Sequence, residues 1–310
     1  MKLDNEAFLT LLERNGQDEE ALLGVATTLD SQGHYEGLVQ MADVLLNRNP
    51  SSAQGLAFKA RALQKLERFS EATIANDQAL LLDTNLPLAW INRSGLQLLQ
   101  KKFPEALRSS QRAIELAPND ARAWANRGVA LLNFGHLLES LAAFDKSLEH
   151  DSSFLFALQM KSEIFTKLGR MSEVVETARQ ALHNDPSQLP ILIQLVRALR
   201  ALESYEQLEE VAQQLIQLTP DDLFAWENYM SSLRGQGKYE AANNALDRIL
   251  ELAVGNVRFW TLKADTLYRL ERYREAASIA EHAVKMHQDY APARRIREKA
   301  VRSIYQKKRR

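Results

Sequence analysis

The sequence predicts an all-α chain built as a solenoid of antiparallel helix pairs, and three observations predict it. First, unrelated rare residues share one period. Trp90, Trp124, Trp226 and Trp260 are separated by 34, 102 and 34 residues. Pro50, Pro118, Pro186 and Pro220 are separated by 68, 68 and 34, and Gly33, Gly135, Gly169 and Gly237 by 102, 34 and 68. A fixed period of this size marks a solenoid or array. Second, each period carries two apolar stripes at helical spacing with a turn between them. Third, 12 glycines and 8 prolines in 310 residues are too few for the many tight turns of an all-β chain.

Residues 121–154 show how one period is built. Trp124, Gly128 and Leu131 fall at i, i+4 and i+7, one stripe of a helix. Gly135 follows, a residue suited to the left-handed conformation that ends a helix. Leu137, Leu141, Phe144 and Leu148 then form the stripe of a second helix. This pattern resembles the tetratricopeptide repeat family, whose 34-residue motif has Trp at position 4, small residues at 8, 20 and 27, Gly at 15, an aromatic at 17 and Pro at 32. Phasing on Trp124 divides the chain, without insertion, into 19–52, 53–86, 87–120, 121–154, 155–188, 189–222, 223–256 and 257–290. Ala72, Ala106, Ala242 and Ala276 then occupy position 20, and Ala79, Ala113, Ala181 and Ala283 position 27. Position 17 holds Tyr35, Phe69, Phe103, Tyr205, Tyr239 and Tyr273. Leu158 and Leu192 replace tryptophan at position 4, a departure expected to loosen the helix contacts of those two repeats.

The resemblance implies a right-handed superhelix forming one domain. Extended backward, the phase makes residues 4–15 the second helix of a half repeat, with Phe8 and Leu11 inward, so residues 1–18 read as an N-terminal cap. Ile296, Ala300 and Ile304 make 291–310 a C-terminal capping helix with a basic tail, as an open solenoid end requires.

Composition removes whole classes of function. Lys and Arg total 39 against 40 Asp and Glu, a net charge of −1, so no global excess points to nucleic acid. With no cysteine there is no disulfide framework, thiolate metal site or cysteine nucleophile. The glycine pair Gly235 and Gly237 lacks the spacing of a phosphate-binding loop, and Gly237 is the turn residue of its repeat. His34 and His136 sit in turns, and His282 and His287 are five apart, off one helix face. No motif asks for catalysis, metal or cofactor. Absence of a leader-like start or an 18-residue apolar run leads to the expectation of a cytoplasmic protein.

The resemblance also says where to look for a partner: first-helix positions 2, 5, 6, 9, 12 and 13 line the concave groove. Position 6 is Asn92, Asn126 and Asn228, with Gln194 close in chemistry. Such amides either hydrogen-bond the backbone of a bound segment or merely follow the family consensus. In the middle repeats the groove positions are apolar: Leu88, Ile91, Leu98, Leu99, Val129, Leu132 and Phe156. They either await a covering partner or turn into the core. Arg197, Arg200, Arg234 and Arg269 form a basic stripe, for carboxylate or phosphate or as a solvated face balanced by Glu227 and Asp265. Position 5 holds no basic residue, so the family's clamp for chaperone tails is missing.

The resulting expectation is a non-enzymatic scaffold or adaptor that binds a peptide or helix of a partner protein, acidic in part, in its groove. The alternatives are a substrate-recruiting subunit of an enzyme complex and a self-assembling homo-oligomer. Residues 291–310 carry nine basic residues and one acid, leaving −9 on 1–290. Contact of that tail with nucleic acid or membrane ranks last, behind a frayed helix end that complements its own dipole.

Overall fold

The structure, a computed structural model, describes residues 19–183 and 185–307, and among them it contains seventeen α-helices and no strand. In chain order these are α1 (Glu19–Gln32), α2 (Tyr35–Arg48), α3 (Ala53–Lys65), α4 (Phe69–Leu82), α5 (Pro87–Leu99), α6 (Phe103–Leu116), α7 (Ala121–Asn133), α8 (Leu137–His150) and α9 (Leu155–Lys167). There follow α10 (Met171–Leu182), α11 (Leu189–Ala201), α12 (Tyr205–Leu218), α13 (Leu223–Gly235), α14 (Tyr239–Leu252), α15 (Val257–Arg269), α16 (Tyr273–Met286) and α17 (Ala291–Lys307). The helix expected over residues 4–15, with Phe8 and Leu11, and the tail residues Lys308, Arg309 and Arg310 lie outside the described residues.

Helix boundaries repeat because the capping chemistry repeats. The residue just before a first helix caps it in four places: the side chains of Ser52, Asp120, Asp222 and Asn256 accept from the backbone N–H groups of Gly55, Arg122, Phe224 and Arg258. Each satisfies a donor that the helix leaves open. First helices end on a left-handed residue: Gly33, Glu67, Lys101, Gly135, Gly169, Glu203, Gly237 and Glu271 all have φ between 53° and 77°. After each of them the next amide reaches back five residues, as in His34 N to Leu29 O at 3.0 Å and Ser204 N to Leu199 O at 3.0 Å. This 6→1 bond is the Schellman closure of a helix end. The four tryptophans also behave alike, each indole Nε1 donating to the carbonyl six residues earlier (Thr84, Pro118, Pro220 and Val254) at 2.7–2.8 Å.

The chain forms two compact units, Met1–Ile164 and Phe165–Arg310, with the boundary inside α9. In the first, Leu22, Leu38, Met41, Leu45 and Phe58 begin a core that Leu56, Leu80 and Leu86 continue. First helices stack on one another there (α1 on α3, α3 on α5, α5 on α7), while each second helix packs behind. Small residues permit the approach: Ala72, Ala79, Ala106 and Ala113 are fully buried, and a Cβ on Gly128 would lie 2.8 Å from the Phe144 ring. In the second unit Met230, Leu233, Leu246, Ile249 and Phe259 form the core, α11 stacks on α13 and α15 on α17. Ala293, Ile296 and Ala300 of α17 are buried against α15 and α16, with Ile304 half-buried. Leu158 and Leu192, the leucines at position 4, are fully buried. Leucine has no polar atom to keep near water, so it sinks deeper than the half-buried tryptophans.

Candidate functional site

Each unit has a cleft on its first helices, and the two differ in chemistry. The cleft of the first unit, about 500 Å³, lies across α3, α5, α7 and the start of α9. Six expected groove residues meet there: Ile91, Leu98, Leu99, Asn126, Val129 and Phe156. Phe69 and Phe154 join them, and the Phe154 and Phe156 rings stand 6.2 Å apart. Leu99 is 54% exposed, Phe156 40% and Phe69 39%, so apolar surface faces water. Ile91 is buried in the floor. Leu132 is half-buried on α7 and lines neither cleft, and Leu88 packs partly into the core. Gly95 lies beneath Gln64: a Cβ there would come 2.7 Å from Nε2, at the far end of that flexible side chain.

The charges of this cleft are tied to one another. Asp30 Oδ1 accepts from Arg61 Nε at 3.1 Å and Asp30 Oδ2 from Arg122 Nη1 at 3.2 Å, across 92 residues of chain. Arg122 Nη2 also donates to Asp120 Oδ2 at 2.7 Å. Burial works against the Asp120 charge, yet the bonds from the Arg122 side chain and backbone outweigh it and hold the carboxyl below its ordinary range. Burial likewise opposes the Arg122 charge and is outweighed by Asp120 and Asp30. Lys65 is lowered, chiefly by burial and then by the charge of Arg61. Glu67 of the lining, together with Asp30 and Asp120 that pair with Arg61 and Arg122 from outside it, equals Arg61, Lys65 and Arg122 in number, so the cleft with its counter-charges is neutral as a whole.

The cleft of the second unit, about 400 Å³, lies across α11, α13 and α15. Arg200, Arg234 and Arg269 of the expected stripe meet there, joined by Arg258, Glu227, Tyr205 and Tyr239. Arg258 Nη1 donates to Glu227 Oε1 at 3.2 Å. Asp265 accepts from both Arg234 and Arg269, the latter at 3.3 Å, and Arg269 Nη1 donates to the Tyr239 hydroxyl at 3.2 Å. Burial lowers Arg234, Asp265 opposes that, and the charge of Arg269 adds to it. Arg200 reaches Asn228 Oδ1 at 3.4 Å, a weak bond. Arg197 lies outside the cleft, its guanidinium 5.7 Å from the centre of the Phe224 ring. Tyr205 lies on the backbone of Gly235, where a Cβ would be 2.4 Å from the ring.

The amides of position 6 face their neighbours. Asn92 Nδ2 donates to Ala57 O at 2.8 Å and Asn126 Nδ2 to Ile91 O at 3.0 Å, each reaching 35 residues back. Asn228 Nδ2 donates to Phe224 O of its own helix. Asn92 and Asn228 are buried, Asn126 and Gln194 half-buried. Asp30, Arg61, Arg122, Arg258 and Phe154 were missed as site residues. The first four occupy positions 12, 9, 2 and 2, so reading those positions for charge finds them. Among the described residues no His, Asp or Glu cluster suits a metal ion, and no helix is long and apolar enough to cross a membrane.

Comparison with known proteins agrees with the helix geometry. The family described as "Psidin, N-terminal TPR repeats region" matches residues 97–253, half of the chain, and "Tetratricopeptide repeat" matches 231–292. The chain belongs to the tetratricopeptide repeat proteins. Among solved tetratricopeptide structures, PilF of Pseudomonas aeruginosa is similar at 20% identity over 67% of this chain and 95% of that one, with a TM-score of 0.55. A thermophilic protein of the same fold from Thermus thermophilus is similar at 19% identity over 59% and 99%, with a TM-score of 0.51. The chain also spans 51% of a chain from the APC/C hetero-tetramer Cut9–Hcn1, at 15% identity over 95% of its own length and a TM-score of 0.49. No curated protein matches the sequence. The tetratricopeptide fold is a protein–protein interaction scaffold, and typically a non-catalytic one.

Proposed function

We propose that the chain is a non-enzymatic adaptor whose first helices hold a peptide or helical segment of a partner protein, with residues 19–290 acting as eight repeats between caps at 1–18 and 291–310. The observation that carries this reading is the apolar cleft of the first unit. Leu99, Phe156 and Phe69 expose apolar surface inside a concave, charge-neutral site, where burying an apolar side chain of a partner is worth about 1.5–3 kcal/mol. The neutral rim supports an apolar anchor over a charged one. The arginine cleft of the second unit supports an acidic group on a bound segment. Asn126, half-buried on the wall, retains the amide acceptor through which a backbone N–H is held.

Random 16-residue peptides displayed on phage and selected on the full chain test this. The expected outcome is enrichment of sequences with apolar anchors that bind the Leu99→Asp/Phe156→Asp variant at least tenfold more weakly. Both side chains are exposed, so circular dichroism and melting of that variant should match the parent. Undiminished binding to the variant overturns the apolar-cleft reading. Size-exclusion chromatography with light scattering tests homo-oligomerisation: a dimer that the same substitutions dissolve makes a second copy the occupant.

A further inference from the structure

The second cleft holds more positive charge than its own acids neutralise. Arg200, Arg234, Arg258 and Arg269 converge there from three successive first helices, against Glu227 and Asp265. Glu227 is committed to Arg258, and Asp265 is shared by two guanidinium groups. Arg200 has only the long bond to Asn228. Two positive charges are left over in a concave, partly desolvated site. An isolated arginine on a solvated face needs no counter-ion, but a surplus of two positive charges gathered in one cleft is relieved when something anionic enters.

We propose that this cleft is a receptor for a phosphate monoester carried on a partner polypeptide, a phosphoserine or phosphothreonine. The proposal rests on the reading that the first helices face a partner, and sharpens its acidic group to a dianion. Charge and donor count favour phosphate over carboxylate. A carboxylate brings one charge and two oxygens, whereas a phosphate monoester brings nearly two charges at neutral pH and three strong acceptor oxygens. Guanidinium groups meet such oxygens in pairs of parallel N–H bonds, and donors from three separate helices suit a trigonal set of acceptors. The cleft, about 400 Å³, is much larger than a phosphate group, which leaves room for the chain that carries it. Tyr205 and Tyr239 on its walls supply hydroxyl and ring surface beside the charge.

The test uses three immobilised degenerate peptide libraries that differ only at a fixed central residue: phosphoserine, glutamate or serine. Full-length protein is applied at physiological salt, with an Arg200→Gln/Arg269→Gln variant alongside. Both side chains are exposed, so the variant should keep the parent's circular dichroism, and Arg258→Gln is a second variant if it does not. The expected result is at least tenfold greater retention on the phosphoserine library than on glutamate. The arginine variant should lose that advantage, and Leu99→Asp/Phe156→Asp should keep it. Equal retention on phosphoserine and glutamate overturns the proposal in favour of a carboxylate site. Unchanged retention of both arginine variants overturns it by placing the attraction elsewhere on the chain. Undiminished apolar-peptide binding by Leu99→Asp/Phe156→Asp, with the phosphoserine advantage intact, would sink only the apolar-cleft reading.

Discussion

The clefts of the two units are built from the same helix positions and hold opposite chemistry. In the first, Arg61, Lys65 and Arg122 are matched by Asp30, Asp120 and Glu67, and the exposed surface is leucine and phenylalanine. In the second, four arginines outnumber Glu227 and Asp265. The repeat fixes where a side chain points and leaves open what it is. Charge that is cancelled internally serves the fold, whereas charge left over is available to a ligand. Position 2 shows both outcomes: Arg122 is enclosed between Asp120 and Asp30, while Arg258, with Glu227 alone, stays half-exposed.

Breaking that contrast begins with Asp30, whose side chain is 12% exposed and holds two guanidinium groups. Asp30→Ala should cost about 3 kcal/mol in denaturant melts, because the partly buried Arg61 loses its counter-charge and Arg122 keeps only Asp120 of its two. Next comes Asp120→Asn, expected to cost about 2 kcal/mol at pH 7. Asparagine can still cap α7, so the loss reports the charge. Since the Asp120 carboxyl is held below its ordinary range, its stabilisation is complete above the unfolded value near 4 and is lost as the pH falls through the folded value. The gap between parent and variant should therefore close in melts below about pH 4. Asp265→Ala should cost less, about 1 kcal/mol, since Asp265 is more exposed at 32% and Arg269 can turn to water. It should also raise retention on the phosphoserine library by enlarging the charge surplus. Equal costs for Asp30→Ala and Asp265→Ala would erase the distinction between a structural network and a binding one. Leu99→Gln should change stability by less than about 0.5 kcal/mol, as exposed substitutions do, while weakening apolar-peptide binding.

Most of the fold was legible in the sequence because a 34-residue period needs only local rules. The turn residue, the small residues under the second helix and the tryptophans each repeat in place. Site geometry was legible in part. Position numbers picked out Leu98, Leu99, Val129 and Phe156, and the structure gathers them. They did not show that Asn92 would reach back to the Ala57 carbonyl, because that bond depends on the offset between neighbouring helices. Nor did they show that Arg122 would meet Asp30, which lies 92 residues earlier on α1. Arg197 shares its helix with Arg200 and still faces Phe224 instead of the cleft.

The left-handed turns have a consequence for how the molecule can be tuned. Glu67, Lys101, Glu203 and Glu271 adopt the conformation that Gly33, Gly135, Gly169 and Gly237 adopt in their own repeats. A side chain at such φ costs about 1–2 kcal/mol, offset in part by the chain entropy that glycine gives up on folding. Each Glu→Gly or Lys→Gly replacement should therefore raise stability by about 0.5–1 kcal/mol. The four sites lie in different repeats, so their gains should nearly add. The array thus carries four graded settings for heat resistance, three of them away from both clefts and one, Glu67, on a rim.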